Sequence, residues 1–551
     1  MTVAPATLNA SYSAVEQQQT TEALSETALD AVQEESTASD QDTAFFSEKA
    51  QALAASSLLE PPESIAYGPT AVDDDQQFEN LNSVAQASTQ SGRRVTVNSY
   101  TAQAEDGSET HGYMMVVSGL EGEEEQRYLL NSDSMVTEDE DGSLKVQAYS
   151  RGSDTSGDDI IIAVGPEVNV DSGAGDDTVI VAANYVSSAN IDTGAGNDRV
   201  TVAGEMRTGT IDTGEGDDSI TAKGLGNNLG SGETLDIDTG GGDDSVSAST
   251  MGMGNHGNSQ INVSMGGGDD KIDASWMGAF NSGNAEFNLS TGDGDDKVHA
   301  SWMGSSNYGN AEFNLSTGDG DDKVHASWMG AFGSDNSQMH VDTGNGDDAV
   351  SASWMGAGSG GNARIDISTG DGDDRVSASW IGAMSHGNAQ TNIDTGQGAD
   401  QIVSSWIGAF MSENAQVNIN TGLGNDIINS SWTGVFSGGN SQTNIDSGGG
   451  NDTLNLGNVG VFQGGNAQVN VSTGDGDDHV TANSLGAFSG GASRTNIETG
   501  DGHDAVSYGT KGFGASGNAR VNIVANEDDG SLAGAAPGET ASAAARVNVE
   551  V

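Results

Sequence analysis

A run of 22 residues, GNAEFNLSTGDGDDKVHASWMG, occupies positions 283–304 and recurs without a change at 309–330, displaced by 26. Aligning the chain on Gly-x-Gly extends the pattern: the first glycines are Gly173, Gly194, Gly214, Gly240 and then every twenty-sixth residue to Gly500, with earlier steps of 21 and 20. A degenerate copy, TSGDD at 155–159, precedes them. A period of this length restricts the chain to a stack of equivalent units, each burying its apolar surface only against its neighbours.

Reading down the columns assigns each position a task. Two residues after the acidic stretch an aliphatic side chain recurs, as at Val298 and Ile402, and two further on a small residue, usually Ala. This alternation is that of a short strand with one inward face. A second alternating run, with Ala311, Phe313 and Leu315 on one face, closes the unit. The expected fold is therefore all-β: a parallel β-roll or β-solenoid of about 14–15 turns, with two short strands per turn and successive turns about 4.8 Å apart. One corner of each turn is TGDGDD and the opposite corner is built on SWMG, with Gly304 at its centre.

The flanks differ in composition. Residues 1–92 are rich in Ala, Ser, Thr, Gln and Glu and are expected to be mostly disordered. Residues 93–150 hold short alternating runs between acidic turns and read as a small β unit, a candidate N-terminal cap. The repeats span 151–524, and 525–551 form a small-residue tail suited to a cap or a secretion signal.

Charge and composition narrow the partners. Acidic residues outnumber basic ones 82 to 18, for a net charge of −64, which repels nucleic acid and anionic membranes and favours cations. The absence of cysteine excludes disulfides and thiolate metal sites. The start, MTVAPATLNASYSAVEQQQ, has neither the basic nor the apolar region of a Sec-type leader, and no apolar run is long enough to span a membrane.

The acidic corner carries the chemistry. Asp stands four residues after the first glycine in every copy: Asp177, Asp198, Asp218, Asp244, Asp270, Asp296, Asp322, Asp348, Asp374, Asp400, Asp426, Asp452, Asp478 and Asp504, with Asp159 continuing the column. The residue before it drifts, with Asn197, Ala399, Asn425, Asn451 and His503 among the aspartates. Glycines open the turn and are expected to leave main-chain carbonyls pointing into the loop. Carbonyl and carboxylate oxygens without nitrogen or sulfur suit Ca²⁺. The expectation is one column of Ca²⁺ ions held by these fifteen aspartates between successive turns.

These residues resemble the RTX, or hemolysin-type, calcium-binding repeats, whose nonapeptide is G-G-x-G-x-D-x-U-x with U aliphatic. Thr291, Gly292, Asp293, Gly294, Asp295, Asp296, Lys297, Val298 and His299 fill the nine places, with Thr at the first glycine. The resemblance covers about 155–508 and implies a parallel β-roll, Ca²⁺ between turns, and export by type I secretion without a cleaved N-terminal signal. The long turn departs from the family pattern, because its second half has no Gly-x-Gly-x-Asp.

Stacked carboxylates about 4.8 Å apart repel by about 0.9 kcal/mol per pair at the dielectric of water. Cation binding then becomes folding energy. The expected function is a secreted, non-enzymatic Ca²⁺-binding rod with an extracellular structural, adhesive or matrix role. An alternative uses the tryptophan column, Trp276, Trp302, Trp328, Trp354, Trp380, Trp406 and Trp432, to bind glycans or to self-associate. Continuing the alternation Val298, Ala300, Trp302 turns that column inward; a solvent-facing strip with Met303, Phe280 and Phe332 is the other reading. A β-helical polysaccharide lyase or epimerase and an ice-binding solenoid are weaker alternatives: the repeats show no irregular catalytic turn, and their outward faces carry charged and bulky residues.

Overall fold

Period-two alternation buries one face of an extended segment and wets the other, and the repeat spacing sets each segment beside its own copy. In a computed structural model, the strand Lys297–Asn307 pairs in parallel with Lys323–Gly333, placing Val298 beside Val324, Trp302 beside Trp328 and Gly304 beside Gly330. The short strand Ala311–Ser316 pairs likewise with Ser337–Asp342. This parallel ladder runs from Ile160–Val164 through Ala519–Val524, an all-β solenoid.

The described residues are 70–71, 78–103, 109–118, 125–130, 133–138, 144–150, 157–524, 531–534, 540–541 and 547–550, less 256, 282–283, 308–309, 334–335, 360–361, 386–387, 411–414, 437–440, 462–466, 488–492 and 512–518. All lie in the unit 67–551. A core runs the length of the solenoid: Val298, Ala300 and Met303 enter from the long strand and Phe313 and Leu315 from the short one, all at most 1% exposed. Phe287 stacks on Phe313 with ring centroids 5.2 Å apart.

Two expectations change. The turn has one long strand and one short one, because SWMG is paired strand rather than corner. The long strand bends at the serine before each Trp: pairing passes from Ala274–Ala300 to Trp276–Trp302 and skips Ser275 and Ser301. That skip shifts the alternation by one, so Met303 turns into the core while Trp302 stays half-buried and Trp328 is 39% exposed. The tryptophans thus do not continue the inward face, and Met303 is not part of an outer strip.

The strands Ile160–Val164 and Thr178–Ala182 read IIIAV and TVIVA, without alternation, because both of their faces are covered. Ile160, Ile162, Ile180 and Ala182 join Val95, Val97, Met115 and Val117 in a second core. Those partners belong to an antiparallel sheet of Glu79–Ser88, Arg94–Gln103, Glu109–Ser118 and Gln126–Leu130, with Thr70–Ala71 at its edge. The small β unit therefore starts before Arg93; 1–69 and 72–77, within the segment expected to be mostly disordered, lie outside the described residues. A hairpin, Ser134–Glu138 with Leu144–Ala148, pairs antiparallel against Ile160–Ile162. At the far end Val547–Glu550 pairs antiparallel with Ala519–Val524. Each covers a strand edge that would otherwise invite another chain.

Glycine is needed where turns touch. Gly344 has φ 86°, and a Cβ built there would lie 1.7 Å from the carbonyl oxygen of Gly318 in the preceding turn. Gly344→Ala is expected to destabilise the folded protein by about 2 kcal/mol or more. Gly232→Ala, at a similar φ of 82° with nothing within 4 Å, isolates the conformational part. Thermal unfolding of both in the same buffer checks this; equal losses would contradict close stacking as the reason for the glycine column.

Candidate metal column at the acidic corner

All fifteen aspartates predicted as ligands stand in one buried column, none more than 4% exposed. Their first task is structural. The backbone N–H of Asp270 donates to Oδ1 of Asp296 at 2.8 Å, that of Asp296 to Asp322 at 2.8 Å, and that of Asp322 to Asp348 at 2.8 Å. The chain of bonds is continuous from Asp159 to Asp504. Each carboxylate thereby satisfies a buried donor of the preceding turn.

A second ladder lies beside it, exposed and running in the opposite direction. The N–H of Asp295 donates to Oδ1 of Asp269 at 3.0 Å, and that of Asp321 to Asp295 at 2.9 Å. Here the acceptor is Asn in several turns: Asp217 donates to Asn197, Asn451 to Asn425 and Asp477 to Asn451. This accounts for the drifting neighbour. Accepting an N–H requires only a neutral side-chain carbonyl, and where the donor is Ala399 or His503 the backbone N–H still serves.

The buried column performs the same task yet holds only Asp. What Asp adds over Asn is a second acceptor oxygen and a charge. In eleven turns from Asp177 to Asp478, leaving out Asp374 and Asp400, Oδ2 is buried with no hydrogen-bond partner among the described residues. Beside this row runs a column of hydroxyls five residues upstream, including Thr291, Thr317 and Thr343, all fully buried. Thr369 donates to Oδ2 of Asp374 and Thr395 to that of Asp400, each at 2.6 Å. In most of the other turns the hydroxyl still lies close enough to hold the carboxyl down but is turned to the next turn's carbonyl, as Thr291 is toward Thr317 at 3.4 Å, a contact that Thr369 also keeps toward Thr395 at 3.5 Å. The Thr in the first glycine place of the nonapeptide thus has a function, one legible in the sequence as a Thr or Ser in every copy but Met265.

Burial pushes these carboxyls up. Asp177, Asp270, Asp348 and Asp426 rise to about 7, and Asp218, Asp244, Asp322, Asp374 and Asp478 to about 6. Desolvation is the main cause; the N–H bond and the hydroxyl pull back, and neighbouring aspartates add to the rise. Asp270, with Met265 in place of the hydroxyl, lacks that restraint.

The donor set fits a hard cation in kind: carboxylate and hydroxyl oxygens in a buried row, with unpartnered lone pairs. Interturn spacing, about 4.8 Å, is also about twice a Ca–O bond. No three His, Cys, Asp or Glu side chains converge on one point among the described residues, so any ion would take carboxylates from adjacent turns and complete its shell with other oxygens. The glycine carbonyls do not point into the loop as expected. They run along the stack, where that of Gly266 occupies the place a Cβ on Gly292 would fill.

The tryptophans make a separate ladder. Successive rings from Trp276 to Trp432 lie 5.0–5.8 Å apart and within 22° of parallel. Each face is largely covered by the next ring, which leaves edges rather than platforms toward solvent.

No protein-family model and no curated protein matches this chain. Among solved structures, the X-ray crystal structure of a hyperactive, Ca²⁺-dependent, beta-helical antifreeze protein from an Antarctic bacterium is similar at 14% identity. The match covers 69% of this chain and 95% of that one, with a TM-score of 0.31. A likeness of this degree carries no functional inference.

The raised carboxyls fix the sign of a pH effect. An unfolded Asp releases its proton near pH 4, whereas the folded column keeps protons to about pH 6 to 7, so between these values the folded chain binds more protons. Stability of the metal-free chain therefore falls as pH rises through this window. In Ca²⁺-depleted buffer the β-sheet circular dichroism signal and its thermal midpoint are expected to be higher at pH 5 than at pH 8, where the bare column leaves the chain largely unfolded; a signal and midpoint that are level or rise with pH would contradict a buried carboxylate column.

Proposed function

We propose that this protein is a Ca²⁺-dependent β-solenoid that works outside the cell as a structural or adhesive rod, without catalytic activity. One observation carries the calcium reading: two parallel ladders cap the same kind of backbone N–H, and only the buried one excludes Asn. The excess requirement is for an anionic second oxygen, and a row of such oxygens in a dry corner needs positive charge. The residues that would hold it are the column from Asp177 to Asp504 with its partner hydroxyls. Bound Ca²⁺ would supply the charge and the lone-pair partners that Oδ2 lacks.

The extracellular reading rests on the affinity expected of such sites. Extracellular Ca²⁺ sites work at about 10⁻⁴ to 10⁻³ M, and a column that opposes its own stacking when bare would leave the chain unfolded at cytoplasmic Ca²⁺. Type I secretion, which the RTX-like nonapeptides imply, exports chains in that state. The non-enzymatic reading is supported by turn-to-turn identity, since a catalytic site needs one turn unlike its neighbours.

The test compares the two ladders. Asp322→Asn with Asp348→Asn keeps both N–H acceptors but removes two buried charges; Asp321→Asn with Asp347→Asn does the same on the exposed side, where Asn occurs naturally. By calorimetric titration the first pair is expected to bind fewer Ca²⁺ ions, or to bind them at least tenfold more weakly, and the second to stay within about twofold of the parent. Equal behaviour of the two pairs would remove the buried column as the site.

A further inference from the structure

Where the short strands begin, at the end remote from the acidic corner, a groove of 1530 Å³ runs along the solenoid from Gly232 to Arg494. Its walls come from one local pattern. In Asn-Ala-Glu or Asn-Ser-Gln the middle residue points inward and is buried, as at Ala311 and Ser337, while the flanking two face out. Stacking turns these into two ridges: Asn258, Asn284, Asn310, Asn336, Asn362 and Asn388 on one side, and the Gln and Glu column on the other. Residues two apart on a strand stand about 6.5 to 7 Å from each other, which sets the spacing of the ridges.

The first ridge is an amide ladder. Asn336 donates Nδ2–H to Oδ1 of Asn310 and Asn362 to Asn336, both at 3.0 Å. A primary amide has two N–H donors and two acceptor lone pairs, so this ladder uses one of each. The side chains of Asn336 and Asn362 are exposed, and each presents its second N–H and second lone pair to solvent at the interturn repeat of about 4.8 Å. The second ridge adds amides held upright within their own strands: Gln390 donates to Asn392 at 3.1 Å, and Gln416 to Asn418 at 3.0 Å.

Charge sets the groove apart from the rest of the molecule. Within a chain of net charge −64, its ionisable walls are Glu233, Glu286 and Glu312 against Arg364 and Arg494. The backbone of the floor is already used, since each short strand pairs with the turn before and the turn after it. An extended peptide would find no strand edge to join. A straight, nearly neutral trough offering paired donors and acceptors at a fixed repeat suits a polymer of hydroxyl groups, each of which both donates and accepts.

We propose that this groove binds an extended, neutral polysaccharide chain of the β-linked ribbon type, laid along the solenoid axis. This site lies apart from the Asp column and its assignment does not rest on the calcium reading. It also replaces the tryptophan ladder as the glycan-facing surface, because stacked rings present edges whereas the groove presents unspent amide groups.

The experiment is native affinity electrophoresis of the full chain in millimolar Ca²⁺, in gels containing hydroxyethylcellulose or dextran, with hydrogen-exchange mass spectrometry to locate protection by cellohexaose. Retardation by hydroxyethylcellulose and not by dextran is expected, with slowed exchange in the segments 310–316, 336–342 and 362–368. Gln390→Ala with Gln416→Ala and Gln442→Ala, and separately Asn336→Ala with Asn362→Ala, should each weaken retardation at least tenfold while far-UV circular dichroism stays that of the parent. If the Gln variant alone keeps its fold, it decides the question. No retardation by hydroxyethylcellulose, unchanged retardation of a folded variant, equal retardation by dextran, or protection at the tryptophan strand instead would overturn the assignment. Loss of fold without Ca²⁺ bears only on the column and is read separately by circular dichroism.

Discussion

The solenoid depends on one contact, the stacking of each turn's backbone on an equivalent backbone one interstrand spacing away. At the acidic corner the contact is so close that the carbonyl oxygen of Gly318 stands where a Cβ of Gly344 would be. Glycine follows from that approach, and so does the in-register pairing that sets Val on Val, Trp on Trp and Asp on Asp. A stack of equivalent units cannot place a charge once. Where a column is fixed, as the buried Asp is, every corner carries the same charge, and the electrostatic consequence accumulates along the axis.

That accumulation is what separates the two aspartate ladders. Both satisfy backbone donors, with bonds of similar length and opposite direction. In the exposed ladder the charge is solvated and Asn replaces Asp freely. In the buried ladder the second oxygen has lost its water, and in most turns it has found no protein donor. A proton or a cation can take that place. The raised carboxyl values describe the proton's claim on the site, and calcium binding would be the competing claim at neutral pH.

Much of this was legible in the sequence, because a solenoid repeats its evidence. The period located the turns, the alternation located Val298, Phe313 and Leu315 in the core, and the fixed column located the buried aspartates. What stayed hidden was set by interactions between turns or between faces. The skip at Ser301 that turns Trp302 out and Met303 in leaves no mark in a pattern read at period two. The burial of both faces of Ile160–Val164 depends on a separate sheet that lies across them. The direction of the glycine carbonyls, along the stack rather than into the loop, comes from contact with the neighbouring turn. The hydroxyl column is legible as well: the Thr or Ser before nearly every Gly-x-Gly fills the nonapeptide's first glycine place with a donor beside the aspartate, as Thr369 and Thr395 show.

The molecule thus divides its tasks among its surfaces. The acidic corner carries the buried carboxylate row, while the groove at the opposite end of the short strands carries amide groups with donors and acceptors to spare. Far-UV circular dichroism of the full chain at pH 8, recorded in EGTA and then in millimolar Ca²⁺, tests the coupling of ion and fold most directly. The expected result is a weak, coil-like spectrum in EGTA that converts to a strong β-sheet spectrum as Ca²⁺ is added. The same β-sheet spectrum in both conditions would contradict it, since the buried column would then be tolerated without a cation.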